Sequence, residues 1–225
     1  MRLLHGDYDR ETQYSGDPVA IAREWQALGA PRLHVVDLDG ARDGRPANGE
    51  IVAAICEALT IPVEVSGGLR SMADIEAAVG WGATRVQLGS AAVRDPELVS
   101  CAAARFPEAI VVSIDTRGGE ALTDGWLEGS GADALELAQA MVARGVPRIM
   151  VTDIGRDGAL AGPNIDLTTK FVEALPVPVV ASGGVTTTAD LRALAEAGCE
   201  GAIVGRALYE GQLSLPDALA AVAAC

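Results

Sequence analysis

The chain repeats itself at a fixed offset of 116 residues. Identical residues recur at this spacing in both the turns and the helical parts of the sequence. The matched positions are Asp37 with Asp153, Ser66-Gly67-Gly68 with Ser182-Gly183-Gly184, Gly89 with Gly205, Pro31-Arg32 with Pro147-Arg148, and Asp74 with Asp190. A register held without slippage over this span indicates two homologous halves joined head to tail.

Within each half, short apolar runs alternate with amphipathic stretches. The runs are rich in β-branched residues and apolar throughout, which is typical of strands buried on both faces of a parallel sheet. We predict strands at Leu33–Asp37, Val63–Val65, Val86–Gly89, Ile110–Ile114, Ile149–Thr152, Val179–Ala181 and Ala202–Val204. We predict helices at Pro18–Leu28, Asn48–Leu59, Met72–Trp81, Pro96–Arg105, Ala134–Arg144, Leu167–Ala174, Thr188–Ala197 and Pro216–Ala223.

This alternation favours an α/β fold with a parallel sheet and helices outside it. Two repeated halves of about four βα units close naturally into a (βα)8 TIM barrel. We therefore predict a single barrel domain over residues 1–225, with half-barrels at roughly 1–108 and 109–225. An open doubly wound sheet is the alternative, but it needs a reversal of strand order that a tandem repeat does not favour.

The repeat also predicts a strand that the sequence does not contain. The first predicted helix, Pro18–Leu28, matches Ala134–Arg144, which follows the strand Ile110–Ile114 and a loop over Asp115–Ser130. Subtracting the offset from Asp115 gives position −1. We therefore expect the sequence to be truncated, with the first strand and a twin of Asp115 lying upstream of Met1.

Composition narrows the possible partners. A net charge of −14 argues against nucleic acid and against an anionic membrane surface. It leaves room for a small anionic substrate, because local dipoles can override the global field. Four cysteines without paired metal-ligand spacing and only two histidines argue against a metal site. We expect a cytoplasmic monomer that uses no metal and no organic cofactor.

Glycine-rich turns form the first group of candidate site residues. In a βα barrel the site lies where strands end and loops begin. Glycine lets backbone N–H groups approach an anion closely. The predicted phosphate-binding residues are Gly67, Gly68, Gly89, Ser90, Gly183, Gly184, Gly205 and Arg206. Because both halves carry the pattern, we expect a substrate with a phosphate at each end to span the mouth of the barrel, the opening at the carboxyl ends of its strands.

Acidic and aromatic residues form the second group. Asp115 ends an apolar strand, an expensive place for a charge unless it is paired or functional. It is a candidate general acid or base, although it could simply cap the next turn. Asp157 lies on a loop and could be a turn residue, and Trp126 could stack on a heterocycle or merely pack. Arg70 lies beside a glycine turn and could contact phosphate.

Five runs together resemble a known family. They are Leu33–Gly40 (LHVVDLDG), Val65–Ser71 (VSGGLRS), Ser113–Leu127 (SIDTRGGEALTDGWL), Thr152–Asn164 (TDIGRDGALAGPN), and Ala181–Val185 with Ile203–Gly211 (ASGGV, IVGRALYEG). The resemblance is to the phosphoribosylformimino-5-aminoimidazole carboxamide ribotide isomerases of histidine biosynthesis. It implies a duplicated (βα)8 barrel that performs an Amadori rearrangement, aminoaldose to aminoketose, on a substrate with two phosphates.

The resemblance also implies roles for individual residues. Asp115 is expected to be the general acid, with Thr152 and Asp157 assisting near the ribose. The residues expected to contact substrate are Arg2, Trp126, Asp37 and Arg70, and the glycine loops are expected to be the two phosphate cradles.

One feature departs from the family pattern. The family's general base is an aspartate at the end of the first strand, and this sequence lacks it. The family usually reads Val-Arg-Leu where this chain reads Met1-Arg2-Leu3. We expect a gene start assigned too late, at a codon that encodes valine internally. A complete chain of this sequence would be expected to turn over about 10²- to 10⁴-fold more slowly, the usual contribution of one positioned proton-transfer group.

Three other functions remain open at this point. A related cyclase usually has Gly-Tyr-Asp where this chain has Gly162-Pro163-Asn164. A bifunctional isomerase that also acts on phosphoribosylanthranilate is compatible with Val65-Ser66-Gly67-Gly68 and with Leu215–Val222 near the C-terminus. A non-catalytic phosphate-binding remnant would need neither Asp115 nor Trp126.

Overall fold

The computed structural model describes residues 2–4, 7–12, 16–123, 128–157, 159–160 and 162–223. Its strands are β1 (Arg2–Leu4), β2 (Asp7–Thr12), β3 (Leu33–Val36), β4 (Val63–Ser66), β5 (Arg85–Leu88), β6 (Ile110–Arg117), β7 (Glu120–Thr123), β8 (Glu128–Asp133), β9 (Ile149–Asp153), β10 (Val179–Ser182) and β11 (Gly201–Ile203). Its helices are α1 (Pro18–Ala27), α2 (Leu38–Asp43), α3 (Gly49–Ala58), α4 (Met72–Gly80), α5 (Ser90–Arg94), α6 (Pro96–Arg105), α7 (Ala134–Ala143), α8 (Ile165–Ala174), α9 (Thr188–Glu196), α10 (Arg206–Tyr209) and α11 (Leu215–Val222).

The main sheet is a nearly closed parallel barrel. Its strands follow the order β11-β10-β9-β6-β5-β4-β3, and each neighbouring pair is parallel. Outward-facing residues such as Val63, Val86 and Ile149 are 2% exposed or less and pack with the surrounding helices. Burial on the outer face explains why the strands read as apolar runs. The expected α/β barrel is confirmed.

The internal repeat extends to individual hydrogen bonds. Asn48 Nδ2 donates to Asp37 Oδ1 over 2.7 Å, and Asn164 Nδ2 donates to Asp153 Oδ2 over 2.7 Å. Both pairs lie at the same place in their half, 116 residues apart. Helices α4 and α9 start with equivalent capping boxes, built by Ser71 with Asp74 and by Thr187 with Asp190. The two halves therefore share local interactions as well as the order of their elements.

The end strands of the barrel are less well covered than the others. Leu33 and Val35 on β3 are only half-buried, whereas their repeat partners on β9, Ile149 and Val151, are 0% and 1% exposed. Val36 at the end of β3 is 46% exposed. Within the described residues, β3 and β11 each pair with one parallel neighbour. The barrel interior is therefore continuous with a cleft between these two strands.

Two antiparallel hairpins differ from the sequence prediction. The predicted loop over Asp115–Ser130 is partly strand: β6 continues to Arg117 and pairs with β7, which pairs with β8. The polar stretch before α1 contains the hairpin β1–β2. These segments are predominantly polar in sequence and lack the apolar runs from which the parallel strands were predicted. The short helices α2, α5 and α10 were also not predicted.

Candidate active site

A large cavity, of about 1160 Å³, runs through the barrel interior and is lined by residues at the carboxyl ends of the parallel strands. It brings together most of the predicted site residues from both halves. Those that line it are Asp115, Thr152, Asp157, Arg70, Gly67, Gly68, Gly89, Ser90, Gly205 and Arg206. Loops from four or more strands therefore contribute to one mouth, as expected for a barrel enzyme.

A smaller cavity of about 130 Å³ adjoins the large one in the second half of the barrel. Gly183 and Gly184 line it, together with Gly205 and Arg206. Asp157 and Ser182 line both cavities. The predicted second phosphate cradle is thus a distinct recess at the side of the mouth.

The glycines of each cradle are of two physical kinds. A Cβ on Gly67 would lie 2.1 Å from the carbonyl oxygen of Asp37, and one on Gly184 would lie 2.4 Å from the carbonyl oxygen of Gly162. Both residues also have left-handed backbones, with φ of 99° and 82°. By contrast, a Cβ on Gly89 or Gly205 would meet nothing within 4 Å. The Gly-Gly turns are therefore required by loop packing, and Gly89 and Gly205 leave open space for a ligand.

Asp115 lies near the end of β6, on the face directed into the barrel. The Ser113 hydroxyl, two residues earlier on the same face, donates to Asp115 Oδ1 over 3.2 Å. Strand register places Asp115 beside Thr152 of β9, whose side chain is 4% exposed. Asp115 lines the cavity while the adjoining Ile114 is buried outside the barrel. The carboxylate thus accepts from the Ser113 hydroxyl and lies beside Thr152 in the sheet register.

Asp157 lies on the loop after β9, and its backbone fixes its position. Its N–H donates to the carbonyl of Asp153 over 3.1 Å. The Arg156 guanidinium donates to the carbonyls of Gly162 and Pro163 over 3.3 and 3.4 Å, which ties the two ends of the loop together. The loop therefore presents Asp157 where the two cavities meet.

Asp37 serves the loop that follows β3. Its buried carboxylate accepts hydrogen bonds from the N–H groups of Gly40, Ala47 and Asn48 and from the Asn48 side chain. Burial alone would raise the pKa of Asp37, but these hydrogen bonds outweigh it, so its pKa lies below the ordinary value. Asp37 does not line the cavity, and its carboxylate is used in organising the loop.

Four residues predicted to contact the substrate or its phosphates remain, and two of them line a cavity. The Arg70 guanidinium lies against Gly44 and lines the large cavity. Arg206 Nε lies 2.5 Å from Glu210 Oε1, and Arg206 also lines the smaller cavity. Arg2 lies in β1, and Trp126 lies outside the described residues. The roles of all four stay predictions.

A set of polar residues inside the barrel was not expected from the sequence. Ser113 was read as part of an apolar strand, and Glu64 and Arg85 were not considered. Alternation in the sequence could have indicated them. In Val63-Glu64-Val65-Ser66 every second residue is polar, and these residues lie on the inner face of the strand. The three residues line the large cavity.

Charged residues bridge the two halves at the amino-terminal end of the barrel. Arg85 Nη2 donates to Glu200 Oε1 over 3.0 Å, and Arg148 Nη2 donates to the same oxygen over 2.8 Å. Burial would raise the pKa of Glu200, but the two guanidinium groups hold it below the ordinary value. We call this end of the barrel, opposite the mouth, the floor.

Two negative findings hold for the described ranges alone. No group of three or more His, Cys, Asp or Glu side chains there is placed to hold a metal ion. No helix among them is long and apolar enough to cross a bilayer.

Comparison with known proteins agrees with this geometry. The model of the family described as histidine biosynthesis protein matches residues 1–214. The 1-(5-phosphoribosyl)-5-((5-phosphoribosylamino)methylideneamino)imidazole-4-carboxamide isomerase of Roseiflexus sp. (strain RS-1) is 51% identical over 222 residues, covering 99% of this chain and 94% of the relative. The isomerases of the same name from Dehalococcoides mccartyi (strain CBDB1) and Synechocystis sp. (strain ATCC 27184 / PCC 6803 / Kazusa) are 50% and 49% identical, covering 97% and 99% of this chain and 89% and 88% of the relatives. The chain belongs to the histidine biosynthesis protein family.

Proposed function

We propose that this protein catalyses the Amadori rearrangement of the bisphosphorylated ribotide named in its relatives, converting an aminoaldose into an aminoketose. The observation that carries the proposal is the shared mouth: Asp115 and the open glycines of both halves line one cavity. The relatives' names do not favour the cyclase, the bifunctional isomerase or the non-catalytic remnant.

Substrate binding is proposed to use the two cradles at once. Gly89 and Gly205 occupy repeat-equivalent positions after β5 and β11, and neither carries a side chain into the space above it. A molecule with a phosphate at each end can place one in each cradle and suspend its central ribose near Asp115. Charge-assisted hydrogen bonds of this kind contribute about 1.5–3 kcal/mol each. Remote binding of both ends would hold the sugar in a reactive position.

Asp115 is proposed to move the proton that opens the ring. A protonated carboxyl group at this position can give its proton to the ring oxygen as the C1–O bond breaks, leaving an iminium at C1. Loss of the proton at C2 then gives an enolamine, which becomes the ketone when C1 takes up a proton and the C2 hydroxyl releases one. The resemblance implies that the base for C2 is an aspartate at the end of the family's first strand.

Neighbouring side chains are proposed to assist Asp115. Ser113 donates to Asp115 Oδ1 and so orients the carboxyl group. Thr152 lies beside it in the sheet register and can bond a ribose hydroxyl. Asp157, at the junction of the two cavities, can contact the part of the substrate nearer the second cradle.

Substitution of Asp115 tests the proposal directly. Asp115→Asn keeps the shape of the side chain but cannot deliver the proton, so turnover of the ribotide should fall about 10²- to 10⁴-fold. Binding of the ribotide, measured by calorimetry, should change little, because the cradles are intact. The exposed substitution Asp43→Asn on α2 is the matched control. Unchanged turnover in Asp115→Asn would contradict the assignment, and failure of the unsubstituted chain to bind the ribotide would contradict the function.

We also propose that the protein acts as a cytoplasmic monomer whose partner is this small molecule, with no nucleic acid or membrane involved. The acidic net charge of −14 supports a monomer that avoids nucleic acid and anionic membranes. Light scattering on the purified chain, in the presence and absence of the ribotide, tests the oligomeric state.

A further inference from the structure

A chain of hydrogen bonds crosses the first half of the barrel interior. The Ser66 hydroxyl lies 3.2 Å from His34 Nε2, and His34 Nδ1 lies 3.0 Å from Glu64 Oε1. The His34 and Glu64 side chains are 14% and 5% exposed. His34 and Glu64 are direct neighbours in the register of β3 and β4. All three residues line the large cavity, and Ser66 directly precedes the first Gly-Gly turn.

The chemistry of these groups sets the direction of the bonds. A carboxylate only accepts hydrogen bonds, so His34 Nδ1 must carry the proton that it shares with Glu64. In the neutral imidazole, Nε2 is then an acceptor, and it takes the proton of the Ser66 hydroxyl. Arg85 Nη1 lies 3.9 Å from Glu64 Oε2, on the floor side, and its positive charge balances that of the carboxylate. The Ser66 oxygen is left with lone pairs alone, and it can only accept a further hydrogen bond.

The second half of the barrel shows that packing does not require this arrangement. The repeat partners of His34 and Glu64 are Met150 and Val180, and both belong to an apolar cluster inside the barrel. Their neighbour Ser182, the repeat partner of Ser66, has no such chain beneath it. Burying a charged group costs desolvation free energy that an apolar pair avoids. The polar pair in the first half therefore points to a requirement other than folding.

We propose that Glu64 and His34 are positioning residues that hold Ser66 as a hydrogen-bond acceptor facing the substrate. The matching group on the ligand is a donor, a ribose hydroxyl or an N–H, in the half of the molecule bound beside Gly67 and Gly68. This assignment of the ligand rests on the proposed function. The direction of the hydrogen bonds does not rest on it and can be measured without any substrate.

The tautomer of His34 is the first test. The chain has two histidines, so His5→Gln leaves a single imidazole that can be labelled with ¹⁵N and observed without ambiguity. At pH 8.5, where ordinary histidine side chains are neutral, the proposal predicts a proton on Nδ1 and none on Nε2. In Glu64→Gln, the amide can donate as well as accept, so the Nε2–H form should become populated. The exposed substitution Glu57→Gln on α3 should leave the spectrum unchanged. An Nε2–H form in the unsubstituted protein would overturn the proposal.

Ligand affinity is the second test, and the chain supplies its own matched variant. Ser66→Ala should weaken ribotide binding about 2- to 12-fold, the worth of one neutral hydrogen bond. The double substitution His34→Met and Glu64→Val installs the pair that already packs in the second half, and it should weaken binding by a similar factor. Adding Ser66→Ala to that double variant should weaken binding no further, because all three changes act through one hydroxyl. Effects that multiply, or full affinity in Ser66→Ala, would overturn the proposal.

The two tests separate this inference from the proposed function. If the unsubstituted protein does not bind the ribotide, the proposed function fails, and the ¹⁵N spectrum alone decides whether the chain of hydrogen bonds has the stated direction. If the ribotide binds and the Nε2–H form is found, the function stands and the positioning role fails.

Discussion

Alanine substitutions should separate the two kinds of glycine in the cradles. Gly205 and Gly89 have empty space where a Cβ would be built, whereas a Cβ on Gly184 would lie 2.4 Å from the Gly162 carbonyl oxygen. Gly205→Ala and Gly89→Ala should therefore fold normally and lose affinity for the ribotide. Gly184→Ala should lose stability first.

The expected sizes follow from these distances. A left-handed backbone costs a non-glycine residue about 1–2 kcal/mol, and overpacking costs about 1–3 kcal/mol, so Gly184→Ala should lose about 2–5 kcal/mol of unfolding free energy. Gly205→Ala meets neither cost, and its stability should change by about 1 kcal/mol or less. A methyl group in the phosphate space should displace one charge-assisted hydrogen bond, worth about 1.5–3 kcal/mol. That corresponds to about 10- to 150-fold weaker binding.

Urea denaturation and calorimetric titration with the ribotide measure the two quantities on the same samples. Gly80→Ala on α4 is the control, because its Cβ would also meet nothing within 4 Å and the residue lies on an outer helix. It should keep full affinity. Equal loss of stability in Gly205→Ala and Gly184→Ala, or full affinity in Gly205→Ala, would refute the distinction.

Three further predictions concern stability and reactivity. Asp37→Asn should lower the unfolding free energy by about 2–5 kcal/mol, because the new amide N–H₂ group must face backbone N–H donors. Asp153→Asn, at a more exposed carboxylate, should lower it less. Equal losses of the two variants in urea titrations would contradict the role given to Asp37. Glu200→Gln should make the unfolding free energy less dependent on pH. Because the pKa of Glu200 is lowered in the folded state, its contribution to stability is present above the ordinary value of 4.5 and is lost as the pH falls through the folded-state value. Identical pH profiles of unfolding free energy for the two proteins would contradict the contribution of the Glu200 ion pairs. Burial raises the pKa of Cys199 to about 11, so a thiol reagent at pH 8 should label the exposed Cys101 faster than Cys199. Equal labelling rates of these two thiols in peptide mapping would contradict this.

Much of the barrel could be predicted because the parallel strands are buried on both faces. Strand β4 was predicted at Val63–Val65 and observed at Val63–Ser66, and helix α6 was predicted with both of its observed ends. The helix starts were readable from caps, such as Asp95 before Pro96, whose side chain accepts from the Leu98 N–H. Apolar runs, caps and the repeat all pointed to the same fold.

The role of individual polar residues was harder to read, because it depends on contacts between distant parts of the chain. Asp37 and Asp153 look alike in sequence, and each accepts from an asparagine side chain. Asp37, however, is 6% exposed and accepts from three backbone N–H groups, whereas Asp153 accepts from the N–H of Gly155. The Gly-Gly turns were predicted to bind phosphate, and contact with another loop also requires glycine there. No local pattern distinguishes these possibilities.

The pairing of His34 with Glu64 illustrates the same limit. The two residues are 30 positions apart and become neighbours through the register of β3 and β4. Strand register follows from the whole sheet, so their contact could not be read from the sequence of either strand. Comparison of the two halves, which sets this pair against Met150 and Val180, was available in the sequence and would have marked the position as unusual.

The claim that matters most is that one ligand places a phosphate in each half of the barrel. ³¹P NMR of the bound ribotide tests it directly, because the two phosphates give separate signals. The account predicts one ribotide per chain, with both signals shifted on binding, and it predicts that Gly89→Ala alters one signal and Gly205→Ala the other. Two ligands per chain, or the same signal altered by both substitutions, would contradict it.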